Sequence, residues 1–115
     1  TPIKSSAASD VYKRQILAYT TGQYRAYQNL VNQKIYDMAL DSLISTIGRC
    51  EEYSSDAKEL GWEGEISDIQ AKAEEALEAF KIDTEKALEV YDMKDRTAYS
   101  KEIYQILDDA GLSEE

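Results

Sequence analysis

From residue 20 onward, apolar side chains recur at three- and four-residue steps, the spacing that gathers them on one face of an α-helix. Tyr24, Tyr27, Leu30 and Val31 follow this period and Thr21 is placed to cap its start, which predicts a first helix from Thr20 to Gln33. Asn32, Gln33 and Lys34 are the expected turn. The period resumes at Ile35 or Tyr36 and runs through Ala39, Leu40, Leu43, Ile44 and Ile47 to Cys50, Tyr53, Ala57 and Leu60, a long second helix that stops at Gly61. Gly48 lies inside it, where glycine costs about 1 kcal/mol relative to alanine, so a kink or a close helix crossing is expected there.

Gly61-Trp62-Glu63-Gly64 reads as a connection, with Gly61 as the left-handed cap and Trp62 either a lid folded over the preceding turn or an exposed anchor, the lid being preferred. A third helix is predicted from about Glu65 to Phe80, with Ile66, Ile69, Ala73, Ala76, Leu77 and Phe80 on one face. Asp83 or Thr84 caps a short fourth helix carrying Ala87, Leu88 and Tyr91. Asp95 caps a last helix with Tyr99, Ile103, Ile106, Leu107 and Ala110, ended by Gly111. Helices this short are marginal alone in water, so their stripes have to be buried against one another. The fold class predicted is all-α: a small bundle of about five helices in one domain over residues 16–111, with 112–115 as a frayed tail.

The opening stretch fits this picture poorly. Residues 1–15 show no helical apolar stripe, and residues 5–15 (SSAASDVYKRQ) resemble the translated read-through of a sequencing adapter found at the ends of genes predicted from environmental DNA. The expectation is a disordered, non-native leader, excluded from the fold, that replaces the true N-terminal part of a larger bacterial protein. Location is accordingly left open, with a soluble, cytoplasmic domain as the default and a lost signal or anchor as the alternative.

Composition narrows the function classes. Ala, Leu, Glu, Lys and Gln fill the chain, and one proline and five glycines offer little opposition to helix. The formal charge of -10 sits in the second half, where residues 51–115 carry seven cations against twenty acids. Nucleic-acid binding needs clustered Lys and Arg to displace counterions, and no such cluster exists. No run is long and apolar enough for membrane insertion. Histidine is absent, which removes the commonest general base and zinc ligand and every nucleophile system built on it. Cys50, the single cysteine, steps with Ile47 and Tyr53 and reads as a small core residue. The carboxylates Glu51, Glu52, Asp56 and Glu59, and Glu74, Glu75 and Glu78, fall on helical surfaces and read as a solvated face in preference to a catalytic pair or metal site. No catalytic residue, cofactor or metal is expected.

Gln33 to Leu40, followed by Leu43 and Ile47, resembles the turn and second-helix start of a tetratricopeptide repeat, with Tyr36 as the aromatic after the turn and Ala39 as the small residue three positions on. The likeness covers residues 20–53. It departs from the pattern at Tyr27, where the family prefers a small residue, at Lys34 in place of the turn glycine, at Thr46 in place of alanine and at Glu51 in place of proline. Tyr99, Ile103, Ile106 and Leu107 echo the spacing of Tyr36, Leu40, Leu43 and Ile44. The resemblance implies a protein- or peptide-binding scaffold whose first helix faces the ligand.

Nine tyrosines give that implication its candidate residues, since tyrosine joins apolar area to a polar tip and is enriched at interfaces. Tyr36, Tyr91 and Tyr99 fall on core stripes. Tyr19, Tyr24, Tyr27 and Tyr104 are candidates for a partner-facing surface, with core packing the competing reading, and Tyr24, Arg25, Tyr27 and Gln28 together form the partner-binding patch predicted on the first helix. The expected function is a non-catalytic helical interaction module binding a protein or peptide through its first two helices. A structural or oligomerising bundle is the alternative, and the oligomeric state is left open.

Overall fold

The computed structural model describes residues 6–112, and among these the chain forms five α-helices, one 3₁₀ turn and no strand. In order these are α1 (Ser6–Asn32), α2 (Tyr36–Leu60), α3 (Glu63–Ala76), the 3₁₀ turn Leu77–Phe80, α4 (Thr84–Tyr91) and α5 (Arg96–Ala110). The all-α bundle expected from the apolar period is what the chain adopts.

The largest departure is α1, which begins at Ser6 and not at Thr20. Tyr12, Ile16 and Thr20 are spaced four apart and carry one stripe across the boundary at residue 15 that the sequence reading imposed. Ile16 and Thr20 are buried, and Tyr12 is half-buried between Tyr53 and Trp62, so the packed stripe of α1 reaches back to Tyr12. Residues 1–5 of the expected leader and Ser113 to Glu115 of the expected tail lie outside the described residues. Leu112, the first residue of that tail, donates its N–H to the Leu107 carbonyl at 2.8 Å and packs its side chain on the core.

Helix ends follow local chemistry. Asp83 accepts the Lys86 N–H at 2.9 Å and caps α4, and Asp95 accepts Thr97 N–H at 2.9 Å and Ala98 N–H at 3.2 Å to cap α5. Gly61 ends α2 at φ 85°, with its own N–H donating to Lys58 and the Trp62 N–H to Ala57, the paired bonds of a Schellman motif. Gly111 and Leu112 repeat the arrangement after α5. The third helix tightens to 3₁₀ geometry over its last turn, where side chains three apart eclipse and Leu77 and Phe80 drop side by side into the core. Lys34 and Lys81 close α1 and the 3₁₀ turn in the left-handed region, at φ 62° and 59°.

Two apolar clusters hold the bundle. The larger joins Tyr27 of α1, Ala39, Leu40, Leu43, Ile44 and Ile47 of α2, Leu77 and Phe80, Val90 of α4 and Ile103, Ile106 and Leu107 of α5. The smaller joins Ile16, Cys50, Ala57, Trp62 and Ile66, flanked by Tyr12, Leu17, Tyr53, Leu60 and Ile69. Full burial of each leucine or isoleucine contributes about 1.5 to 3 kcal/mol, an upper bound because the unfolded chain already hides some of that area. The two clusters lie along α2, and the molecule measures 55 × 28 × 19 Å. Gly48 marks a close crossing: a β-carbon there would sit 2.4 Å from the ring of Tyr91 on α4.

Candidate interaction surface

The patch predicted on α1 does not assemble as a surface. Tyr27 is only 8% exposed and meets Phe80 edge-on, ring centroids 6.3 Å apart, because position 27 lies on the stripe that α1 turns toward α2 and the 3₁₀ turn. Tyr27 is therefore a core residue, a correction to its assignment as a partner contact. Tyr24 is half-buried with its ring tilted over Tyr27 at 5.8 Å, leaving Arg25 and Gln28 exposed beside it without an aromatic anchor. Tyr19 is exposed, and the Arg49 guanidinium lies over its ring at 5.1 Å, a cation–π pair between α1 and α2.

A better-formed surface lies where the α1–α2 turn meets α5. Ile35, Tyr36, Tyr104, Leu107 and Leu112 line a cleft of about 580 Å³, with Lys34, Asp37 and Asp108 at its polar edges. Tyr104 also borders a shallower depression of about 160 Å³ whose lining includes Met38, Asp41, Arg96 and Tyr99. Met38 and Tyr104 are each 56% exposed, more than any other large apolar side chain among the described residues. Tyr104 was among the candidates by sequence. Met38 was not, and its signal was available: it precedes the buried pair Ala39 and Leu40, so helical geometry turns it about 100° away from the core.

Tyrosine hydroxyls organise the polar side of the bundle. Tyr12 donates to Asp56 at 2.6 Å, Tyr91 to Glu52 at 3.1 Å, Tyr104 to Asp37 at 3.2 Å, and Tyr99 to Asp41. All four acceptors sit on α2, so its carboxylates are docking points for α1, α4 and α5 as well as a solvated face. The hydrogen bond to Asp56, then burial, pushes the Tyr12 hydroxyl up to about 12. Burial, then the bond to Glu52, does the same for Tyr91, and burial followed by Asp41 raises Tyr99 further. Lys86 spans Glu89 at 3.4 Å and Glu102 at 2.8 Å, tying α4 to α5.

Cys50 lies fully buried where the sequence placed it, and burial pushes its thiol up to about 12, far from the thiolate a nucleophile needs. No group of three or more His, Cys, Asp or Glu residues among the described residues is arranged to hold a metal ion. No helix among them is long and apolar enough to cross a membrane. No family model, no curated protein and no solved structure matches this chain.

Proposed function

We propose that this chain is a non-catalytic helical module that binds another protein or a peptide, using the cleft between the α1–α2 turn and α5. The observation that carries the reading is the exposure of Met38 and Tyr104, which line one shallow depression together, while Tyr104 also lines the neighbouring cleft with Tyr36, Leu107 and Leu112. Tyr104 is suited to anchor a contact: its hydroxyl is already held by Asp37, which lowers the ordering cost of its ring, and aromatic anchors of this kind concentrate binding energy. Asp37, Asp41 and Asp108 against Lys34 and Arg96 favour a segment that brings an apolar side chain together with a cation. Ala39, fully buried in the α1–α2 hairpin at the position where the tetratricopeptide family carries a small residue, supports the likeness to that family's scaffolds.

Peptides selected from a random displayed library against the full chain provide the test. After synthesis, binders should perturb the Met38 methyl and Tyr104 ring resonances. They should weaken about ten-fold or more, 1.4 kcal/mol, against Met38→Ala/Tyr104→Ala and bind Arg25→Ala normally. Selected peptides indifferent to Met38 and Tyr104 would overturn the reading. Sedimentation that reveals a dimer broken by the same pair of substitutions would favour the oligomerising bundle instead.

A further inference from the structure

The cleft between the α1–α2 turn and α5 brings together two tyrosine rings from different helices. Tyr36 comes from the first turn of α2 and Tyr104 from α5, and both line the cavity of about 580 Å³. That volume falls in the range of sites that enclose a ligand group. Neither ring packs against another aromatic ring among the described residues, so both remain open to an occupant of the cleft. The rest of the apolar lining is aliphatic, from Ile35, Leu107 and Leu112.

Charge narrows what such an occupant can be. The lining carries Asp37 and Asp108 against Lys34, in a chain of formal charge -10. Asp37 is half-buried, and none of the ion pairs among the described residues involves it, although Lys34 lines the same cleft. Its Oδ1 accepts the Met38 N–H at 2.8 Å and its Oδ2 accepts the Tyr104 hydroxyl at 3.2 Å. A carboxylate offers about four acceptor positions, so Asp37 keeps room for a further donor. Because each oxygen already holds one hydrogen, the paired approach of a guanidinium is disfavoured relative to a compact ammonium.

Building on the cleft as the binding site of the module, we propose that it seats a lysine side chain of the partner polypeptide. The methylene stem covers the aliphatic lining, and the ammonium is held by Asp37 and by the faces of Tyr36 and Tyr104. Lysine suits both demands at once, since its long apolar stem packs while its head stays charged. Cation–π attraction adds to the pull of the carboxylate, and an apolar side chain of equal length receives neither.

The probe is Nα-acetyl-lysine methylamide, titrated into the isotope-labelled full chain, with Nα-acetyl-norleucine methylamide as a control that keeps an unbranched apolar stem and lacks the ammonium. The lysine probe is expected to shift the Tyr36 and Tyr104 ring and Leu107 and Leu112 methyl resonances saturably, with an affinity about five-fold or more above that of norleucine. Asp37→Asn keeps an acceptor for the Tyr104 hydroxyl and removes the charge, and Tyr104→Leu keeps apolar area and removes the ring. Each is expected to lower the affinity of the lysine probe about three-fold or more and to leave that of the norleucine probe unchanged. No saturable shift at these resonances, norleucine binding as tightly as lysine, or lysine binding indifferent to both substitutions would overturn the proposal. Failure of the lysine seat is separable from failure of the binding module. Library-selected peptides that need Met38 and Tyr104, yet keep their affinity when every lysine is changed to norleucine, overturn the seat and leave the module standing.

Discussion

The ring of Tyr91 on α4 occupies the space that a β-carbon on Gly48 of α2 would fill, with three ring carbons within 2.5 Å of that position. Glycine is thus what lets α4 lie against the middle of α2, and the hydroxyl of the same ring then reaches Glu52 one turn further on. Gly48→Ala sets a gain of about 1 kcal/mol in helix propensity against an overpacking cost of about 1 to 3 kcal/mol. The expected net effect is destabilising by about 1 kcal/mol in urea unfolding. In a Tyr91→Ala background the same substitution should become stabilising, and the sign reversal in that double-mutant cycle identifies the contact.

Tyr27 and its neighbours on α1 divide sharply. Tyr27→Ala removes a ring packed on Phe80 and should cost about 3 kcal/mol or more, whereas Arg25→Ala and Gln28→Ala should stay within about 0.5 kcal/mol. Chemical denaturation of the three single variants is sufficient. Comparable small losses at all three would mean that Tyr27 does not sit in the core.

Lys34 and Lys81 both hold positive φ without being glycine. A β-carbon in the left-handed region costs about 1 to 2 kcal/mol, part of which glycine gives back through the greater freedom of the unfolded chain. Lys34→Gly and Lys81→Gly are each expected to raise stability by about 0.5 kcal/mol, read as a higher denaturation midpoint with an unchanged slope. At position 34 this would restore the turn glycine of the tetratricopeptide pattern.

Alkaline pH should weaken the fold in a defined window. The Tyr12 and Tyr91 hydroxyls and the Cys50 thiol all titrate near 12 in the folded chain, above their unfolded values of about 10 and 8.5. A folded pKa above the unfolded one means that the native state holds protons the unfolded chain has released. The stabilisation is therefore complete below about pH 8.5 and is lost as pH rises to 12. Urea midpoints between pH 8 and 11.5 should fall steadily. Tyr12→Phe/Tyr91→Phe should flatten the part above pH 10, and thiol reagents should modify Cys50 only at the rate of unfolding. A midpoint independent of pH over that range would contradict these assignments.

How far the chain could be read in advance depended on the range of each interaction. Asp83, Asp95, Gly61 and Gly111 were identifiable as helix ends because a cap is satisfied within a few residues of itself. Cys50, Leu40 and Ile47 were identifiable as core because a period of about 3.6 residues already selects the face. The start of α1 was read late for a related reason: beginning the stripe at Thr20 left out Tyr12 and Ile16, which precede it at four-residue steps. Tyr27 and Tyr104 show the limit of the method, since both are tyrosines on helices, yet Phe80 covers one and nothing among the described residues buries the other.

Helical content, the places where helices stop and the apolar face of each one follow from amino-acid order alone, because they rest on backbone hydrogen bonds and side-chain spacing inside a single turn or two. Which faces meet was settled only in three dimensions. Tyr12 finds Asp56 across 44 positions, Tyr91 finds Glu52 across 39 and Tyr104 finds Asp37 across 67. Such pairings, the edge-on contact of Tyr12 with Trp62 and the cleft beside Tyr104 arise from helices packing in one of several arrangements that the same stripes would allow, and the choice is made by the fit of side chains that are remote in the chain.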